Sequence, residues 1–115
     1  MALQSDCLFC RIIKGEIPST KVLEDDNVLV FRDINPSAPT HLLVIPKHHV
    51  DKIGDCGEDE RELIADVILA ANRAATMEKL DSFRLIINNG SDAGQTVYHL
   101  HAHVLGGTKL SERLL

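Results

Sequence analysis

His99-Leu100-His101-Ala102-His103-Val104-Leu105 is the stretch on which the reading of this chain turns. Successive side chains of a strand point to opposite faces, so His99, His101 and His103 share one face, while Leu100, Ala102 and Val104 share the other. The apolar face packs on a core, and the opposite face presents three imidazoles at every second position. Neutral imidazole near pH 7 serves as nucleophile, proton carrier or metal ligand. A strand that merely alternates polar and apolar residues would take Thr, Ser, Lys or Glu equally well. Histidine in all three polar slots therefore points to chemistry.

Working upstream, Asn88-Asn-Gly-Ser-Asp-Ala-Gly-Gln-Thr96 is a glycine-bearing loop that runs into this strand, expected over Val97–Leu105. Such a loop can turn backbone N–H groups toward one point as an anion nest, although most loops of this kind are plain turns. Phe83–Ile87 reads as a strand. A long helix covers about Glu58 to Leu80, with Leu63, Val67, Ile68, Ala71, Ala74 and Ala75 as its apolar stripe. Asp55 with Glu58 resembles its entry signal. Earlier strands are expected at Lys21–Leu23, Asn27–Phe31 and His41–Ile45, the last stopped by Pro46, with a proline-stiffened loop over Asp33–Thr40. Cys7–Lys14 spaces Leu8, Phe9, Ile12 and Ile13 as a short helix, for which Ser5 or Asp6 is the candidate cap. The fold class is α+β: a five-stranded, mainly antiparallel sheet with one long helix and a short N-terminal helix.

The 115 residues suit a single domain, 1–115, and suffice to bury a core. Seventeen acidic against twelve basic residues leave a net charge of −5. That balance argues against a duplex-DNA binder, which needs a basic stripe to displace counterions. With no Trp, one Tyr and three Phe there is little platform for stacking single-stranded nucleic acid. No apolar run reaches the roughly 18–20 residues of a membrane span, and no leader pattern opens the chain, so a soluble cytoplasmic protein is expected. Three cysteines, at 7, 10 and 56, do not form a secreted disulfide framework. Cys7-Leu-Phe-Cys10 has the spacing of a redox pair or of half a zinc site. It precedes every strand, which weakens the redox reading. His48 and Cys56 read as bystanders.

Several motifs extend along the chain: Ile12-Ile-Lys-Gly-Glu-Ile-Pro18, Phe31-Arg-Asp-Ile-Asn-Pro36, Ala38-Pro-Thr-His-Leu-Leu-Val-Ile-Pro-Lys47 and Gly94-Gln-Thr-Val-Tyr-His-Leu-His-Ala-His-Val-Leu-Gly-Gly107. With the His-φ-His-φ-His-φ-φ strand they resemble the histidine triad (HIT) superfamily of nucleotide hydrolases and transferases. The nearest likeness is to the nucleotide-binding branch, the nucleoside phosphoramidases, and it covers Cys7 to Gly107.

That resemblance implies cleavage of purine nucleoside 5′-phosphoramidates or aminoacyl and lysyl adenylates, with an adenosine or guanosine monophosphate moiety bound. It implies a catalytic group of His41, His99, His101 and His103, with His101 the nucleophile that forms a covalent nucleotidyl-histidine. His103 would bond the phosphate and His41 would orient the nucleophile or relay a proton. Asn88, Gly94, Gln95 and Thr96 would cradle the phosphate, Thr96 standing where the branch often has Ser. Asp33 would bond the ribose, and Leu8, Phe9, Ile12, Phe31, Ile34 and Leu43 would wall the purine. Members bearing the same Cys-x-x-Cys hold a structural zinc with two further histidines, which correspond here to His49 and His99. The resemblance implies a homodimer and no catalytic metal. The C-terminal Gly106–Leu115 departs from the Trp-Pro-Pro-Gly ending of some relatives.

Two other functions fit the same residues. A metal-dependent hydrolase would use the histidine strand as ligands and lose turnover to chelators. A non-enzymatic nucleotide-binding or interaction module would bind adenosine monophosphate without forming an adduct.

Overall fold

The structure is a computed structural model that describes residues 6–113. Ser5, one of the two candidate caps, lies outside these residues, as do the first residues and the last two of the divergent tail. A short helix α1 (Leu8–Ile13) leads into strands β1 (Lys21–Glu24), β2 (Val28–Arg32) and β3 (Thr40–Pro46). The long helix α2 (Arg61–Met77) follows, then β4 (Phe83–Ile86) and β5 (Ala102–Gly106). The strands form one antiparallel sheet in the order β1-β2-β3-β5-β4, so the α+β class and the five-stranded antiparallel sheet hold.

Strand parity divides the interior into two cores. Val28 and Val30 of β2, Leu42 and Val44 of β3, and Ala102 and Val104 of β5 face α2, which buries Val67, Ala70, Ala71, Ala74 and Ala75 against them. Ala70 joins the expected stripe, whereas Leu63 and Ile68 stay half-buried at its margin. Leu29 and Phe31 of β2, with Leu43 and Ile45 of β3, face the other way and pack on Cys7, Phe9, Cys10 and Ile12 of the α1 segment. Because β2 and β3 are covered on both faces, they read as unbroken apolar runs rather than alternating ones. The odd-numbered positions of β3 and β5 lie on the α1 side, and this places His41 and His103 there.

Three local expectations are corrected. The cap of α1 is Cys7, whose sulfur accepts the Cys10 N–H at 3.2 Å, in place of Asp6. The entry to α2 is a single 3₁₀ turn at Glu58–Glu60, where Glu60 Oε1 accepts the Gly57 N–H at 2.7 Å, and Asp55 instead ends a separate turn. The histidine strand is shorter than Val97–Leu105. Extending the β3–β5 register by two residues from Val44↔Ala102 sets Leu100 opposite Pro46, which has no N–H to give. The ladder stops there, and the Leu100 N–H donates to the Val50 carbonyl at 2.7 Å. His99 and His101 thus belong to the lead-in, which bends at residues 97–99, and only His103 sits in the ladder.

Candidate functional site

The α1 face of the sheet carries two neighbouring groups of histidines. The first is buried. His99 Nδ1 lies 3.3 Å from Cys7 Sγ, 3.5 Å from Cys10 Sγ and 3.1 Å from His49 Nδ1, and Cys10 Sγ lies 3.3 Å from His49 Nδ1. All four residues are buried, and their donor atoms fall within 4.8 Å of one another. Tetrahedral zinc with bonds of about 2.0–2.3 Å sets its donors roughly 3.3–3.8 Å apart, close to this spacing. The second nitrogen of each ring is also engaged: His49 Nε2 meets Asp51 Oδ1 at 2.7 Å, and His99 Nε2–H donates to the Pro46 carbonyl at 2.7 Å. These bonds fix the tautomers that leave both Nδ1 lone pairs facing the sulfurs, the outer-shell arrangement of a metal-binding histidine. The residues form a closed structural zinc site, with two sulfur and two nitrogen ligands and no open position. The supporting Asp51 was not singled out from sequence; its place two residues after His49 was the available signal.

The second group lines a cleft of about 490 Å³ between α1, β2, β3 and the lead-in to β5. Parity and the β3–β5 register bring His41 and His103 together diagonally on one face, with His41 Nε2 and His103 Nδ1 2.9 Å apart. The Ser37 N–H donates to His41 Nδ1 at 2.9 Å, so the proton of His41 is on Nε2. That proton lies between His103 Nδ1 and Asp33 Oδ2, which is 3.4 Å away. His103 therefore accepts at Nδ1 and keeps its own proton on Nε2. The ring of His101 stands 5.1 Å from that of His103. His101 Nδ1 lies 2.8 Å from the His99 carbonyl oxygen, which can only accept, so Nδ1 carries the proton and Nε2 holds a free lone pair.

Burial sets the charge state of these rings. It pushes His103 down to about 4, helped by the adjacent His101 and His41 rings and opposed by Asp33. Burial also lowers His101, with the bond to the His99 carbonyl working the other way, and pushes His99 down to about 4. Both His101, which carries the lone pair, and His103 beside it are neutral at pH 7.

Among the expected site residues, Asp33, Thr96, His41, His101 and His103 line the cleft, as do all six expected apolar wall residues. Ile34 is 90% exposed at the rim. Ile17 and Val97 add to the wall; both lie within the quoted motifs, which is the sequence signal for them. Three of the expected loop residues do not line the cleft. The Gly94 and Gln95 N–H groups donate to the Ser91 and Gly90 carbonyls as the loop closes on its own 3₁₀ turn. The buried Gln95 side chain is spent bracing that loop: its Oε1 accepts the Gly90 N–H, and its Nε2 donates to the Asp51 and Val97 carbonyls. Asn88 is half-buried behind Gly94 and outside the lining. Of the four loop residues named for the cradle, only Thr96 reaches the cleft. His99 is also absent from it: its Nδ1 faces the metal cluster and its Nε2–H is held by the Pro46 carbonyl. His48 is exposed; Cys56 is half-buried, and burial together with Glu60 and Asp55 raises its thiol.

An antiparallel five-stranded sheet flanked by two helices, with a closed metal site beside a histidine-lined cleft, defines an α+β domain built around a histidine strand. Residues 14–110 match the model of the HIT domain, and the chain belongs to that family. It is 46% identical over 110 residues to a 14 kDa zinc-binding protein of Zea mays, covering 93% of this chain and 86% of the relative. Among solved structures, a HIT family hydrolase from Legionella pneumophila is 50% identical with a TM-score of 0.91, covering 93% of this chain and 97% of that one. A HIT family hydrolase from Clostridium thermocellum is 43% identical with a TM-score of 0.95, covering 97% and 99%. No helix among the described residues is long and apolar enough to cross a membrane.

Proposed function

We propose that this protein is a nucleotide-binding hydrolase that cleaves purine nucleoside 5′-phosphoramidates or aminoacyl adenylates, lysyl adenylate included, through a nucleotidyl-histidine on His101. The observation that carries this reading is the tautomer of His101. Its Nδ1–H is held by the His99 carbonyl, so a neutral Nε2 lone pair is available without prior deprotonation. In the first step Nε2 bonds to the α-phosphorus, the P–N or P–O bond to the leaving group breaks, and the leaving group takes up a proton. The ring becomes cationic in the adduct, and the same carbonyl then stabilises the Nδ1–H. Water then forms a new P–O bond as the P–Nε2 bond breaks, releasing the nucleoside monophosphate.

The chain of bonds from the Ser37 N–H through His41 to His103 leaves His103 Nε2–H as a donor for a phosphate oxygen, and Thr96 supplies a hydroxyl. Asp33, at the same end, suits the ribose hydroxyls. The apolar walls, with Ile34 exposed at the rim, suit a purine face. In this role the cleft needs no metal: the zinc of the Cys7, Cys10, His49 and His99 site is closed and serves the fold. A metal-dependent alternative has one observation in its favour, since Asp33, His41 and His103 bring an oxygen and two nitrogens within 4.8 Å. The two readings separate on turnover of adenosine phosphoramidate in a chelator too weak to strip the Cys-His site. Our reading expects full turnover, and the alternative expects none.

Within the same reading the 115 residues act as one domain in the cytoplasm, and two copies pair. The edge strand β4, where Phe83 is partly exposed, together with Leu69 and Met77 exposed on α2, gives the surface for a second copy. Light scattering behind size exclusion should return twice the 12.7 kDa chain mass.

A further inference from the structure

We propose that the metal site positions the nucleophile: with His99 held by the metal, the backbone carbonyl of that residue fixes which nitrogen of His101 carries the proton. This rests on the catalytic reading above. His99 is fully buried, and it links the two groups of histidines, its ring in one and its carbonyl bonded to the other. Its ring is a donor to the Cys7, Cys10 and His49 cluster, while its carbonyl takes the His101 Nδ1–H at 2.8 Å.

The backbone that carries this carbonyl lies outside the β5 ladder. The β5 ladder begins only at Ala102, because Pro46 ends the pairing. Ahead of it, the ties seen are the Leu100 N–H to Val50, the His99 ring to the Pro46 carbonyl, and Gln95 Nε2 to the Val97 carbonyl. A stretch without ladder bonds takes its position from its anchors; the buried His99 ring and the buried Leu100 side chain are two of these, and only the ring sits among the metal ligands. A second contact runs the same way. Phe9 lies between the two cysteine ligands in sequence, and its ring meets both His99, at 5.9 Å between centroids, and His101, at 5.2 Å, edge-on. Loss of the metal would loosen the carbonyl and this wall together. Neutral imidazole has two tautomers, and without a fixed acceptor at Nδ1 the proton also occupies Nε2, which removes the attacking lone pair. His99 is thus a positioning residue, acting through its main chain on the nitrogen that reacts.

The test compares wild type, His99→Ala and His99→Cys. Cysteine keeps a zinc ligand in place while removing the imidazole. Zinc content is measured on each, and long-range proton–nitrogen NMR reads the tautomer of His101. In wild type and in zinc-loaded His99→Cys, His101 is expected as the Nδ1–H form. In His99→Ala the Nε2–H form should appear, with kcat for adenosine phosphoramidate down at least tenfold and KM within about twofold. His99→Cys should recover most of that kcat. If His99→Ala does not fold, wild type held in a strong chelator replaces it; if that also unfolds, zinc-loaded His99→Cys decides alone. The proposal is overturned if zinc-free folded protein keeps the wild-type tautomer. It is equally overturned if His99→Cys binds one zinc per chain yet shows the Nε2–H form or the tenfold loss. Should no variant, wild type included, turn over the phosphoramidate, the catalytic reading fails, and the tautomer spectra still decide the coupling.

Discussion

His49 and His99 on one side, and His41, His101 and His103 on the other, are the same side chain put to opposite uses a few ångströms apart. In the metal cluster every ring nitrogen is committed: Nδ1 to the sulfur-lined centre, and Nε2 to Asp51 or to the Pro46 carbonyl. In the cleft the chain of commitments leaves one lone pair over, on His101. Saturated histidines hold structure, and an unsaturated one next to a cavity does chemistry. The difference comes from partners rather than from residue type, since burial lowers the proton affinity of His99 and His103 to the same value of about 4. Perturbed acidity alone would not separate the two groups; hydrogen-bond accounting does.

The comparison can be broken at either group. The largest effect is expected in the cleft: His101→Ala should abolish turnover, by 10³-fold or more on the order of a lost nucleophile, while nucleotide still binds in calorimetry. Full activity in that variant would remove the asymmetry on which the reading stands. On the metal side, Cys10→Ser should lower the melting temperature by roughly 10 °C or more, because binding energy at a structural site is folding energy. Equal melting curves with and without a strong chelator would show the cluster to be dispensable. His41→Ala should cost about 10²-fold in kcat by unfixing the tautomer of His103, with smaller effects on stability than any zinc ligand.

The smallest effect is a pH dependence. The ring of His103 is neutral in the fold down to about 4, whereas unfolded it takes a proton near its ordinary value of 6.5. Between those values the unfolded chain binds the extra proton, so stability falls as pH drops from about 6.5 to about 4, and this contribution changes no further below that. His103→Gln should show a shallower slope over that interval in urea titrations. An unchanged slope would mean that the burial of His103 is not what sets its charge.

Much of this was legible in residues. Alternation in the histidine strand assigned faces correctly, because the two-residue period persists even where the ladder does not. The hydrophobic stripe of α2 announced the helix that covers one face. The four metal ligands could not be joined by spacing alone, since Cys10 and His99 are 89 positions apart and the link came from family likeness. Other features depended on tertiary context. Pro46 was read as the stop of its own strand, while its effect on the opposite strand needs the register. A glycine-bearing loop can be an anion cradle, and its sequence does not reveal where each amide goes; that the Gly94 and Gln95 N–H groups bond the Ser91 and Gly90 carbonyls is visible only in the folded loop. Ser37 gives only its backbone N–H to His41, which no pattern of side chains reveals.

The most direct test of the central claim is mass spectrometry of the intact and digested protein after brief mixing with adenosine phosphoramidate. The account predicts a nucleotidyl adduct on the peptide that carries His101, formed within the first turnover and missing in His101→Ala. Turnover with no adduct at His101, or an adduct on another residue, would contradict it.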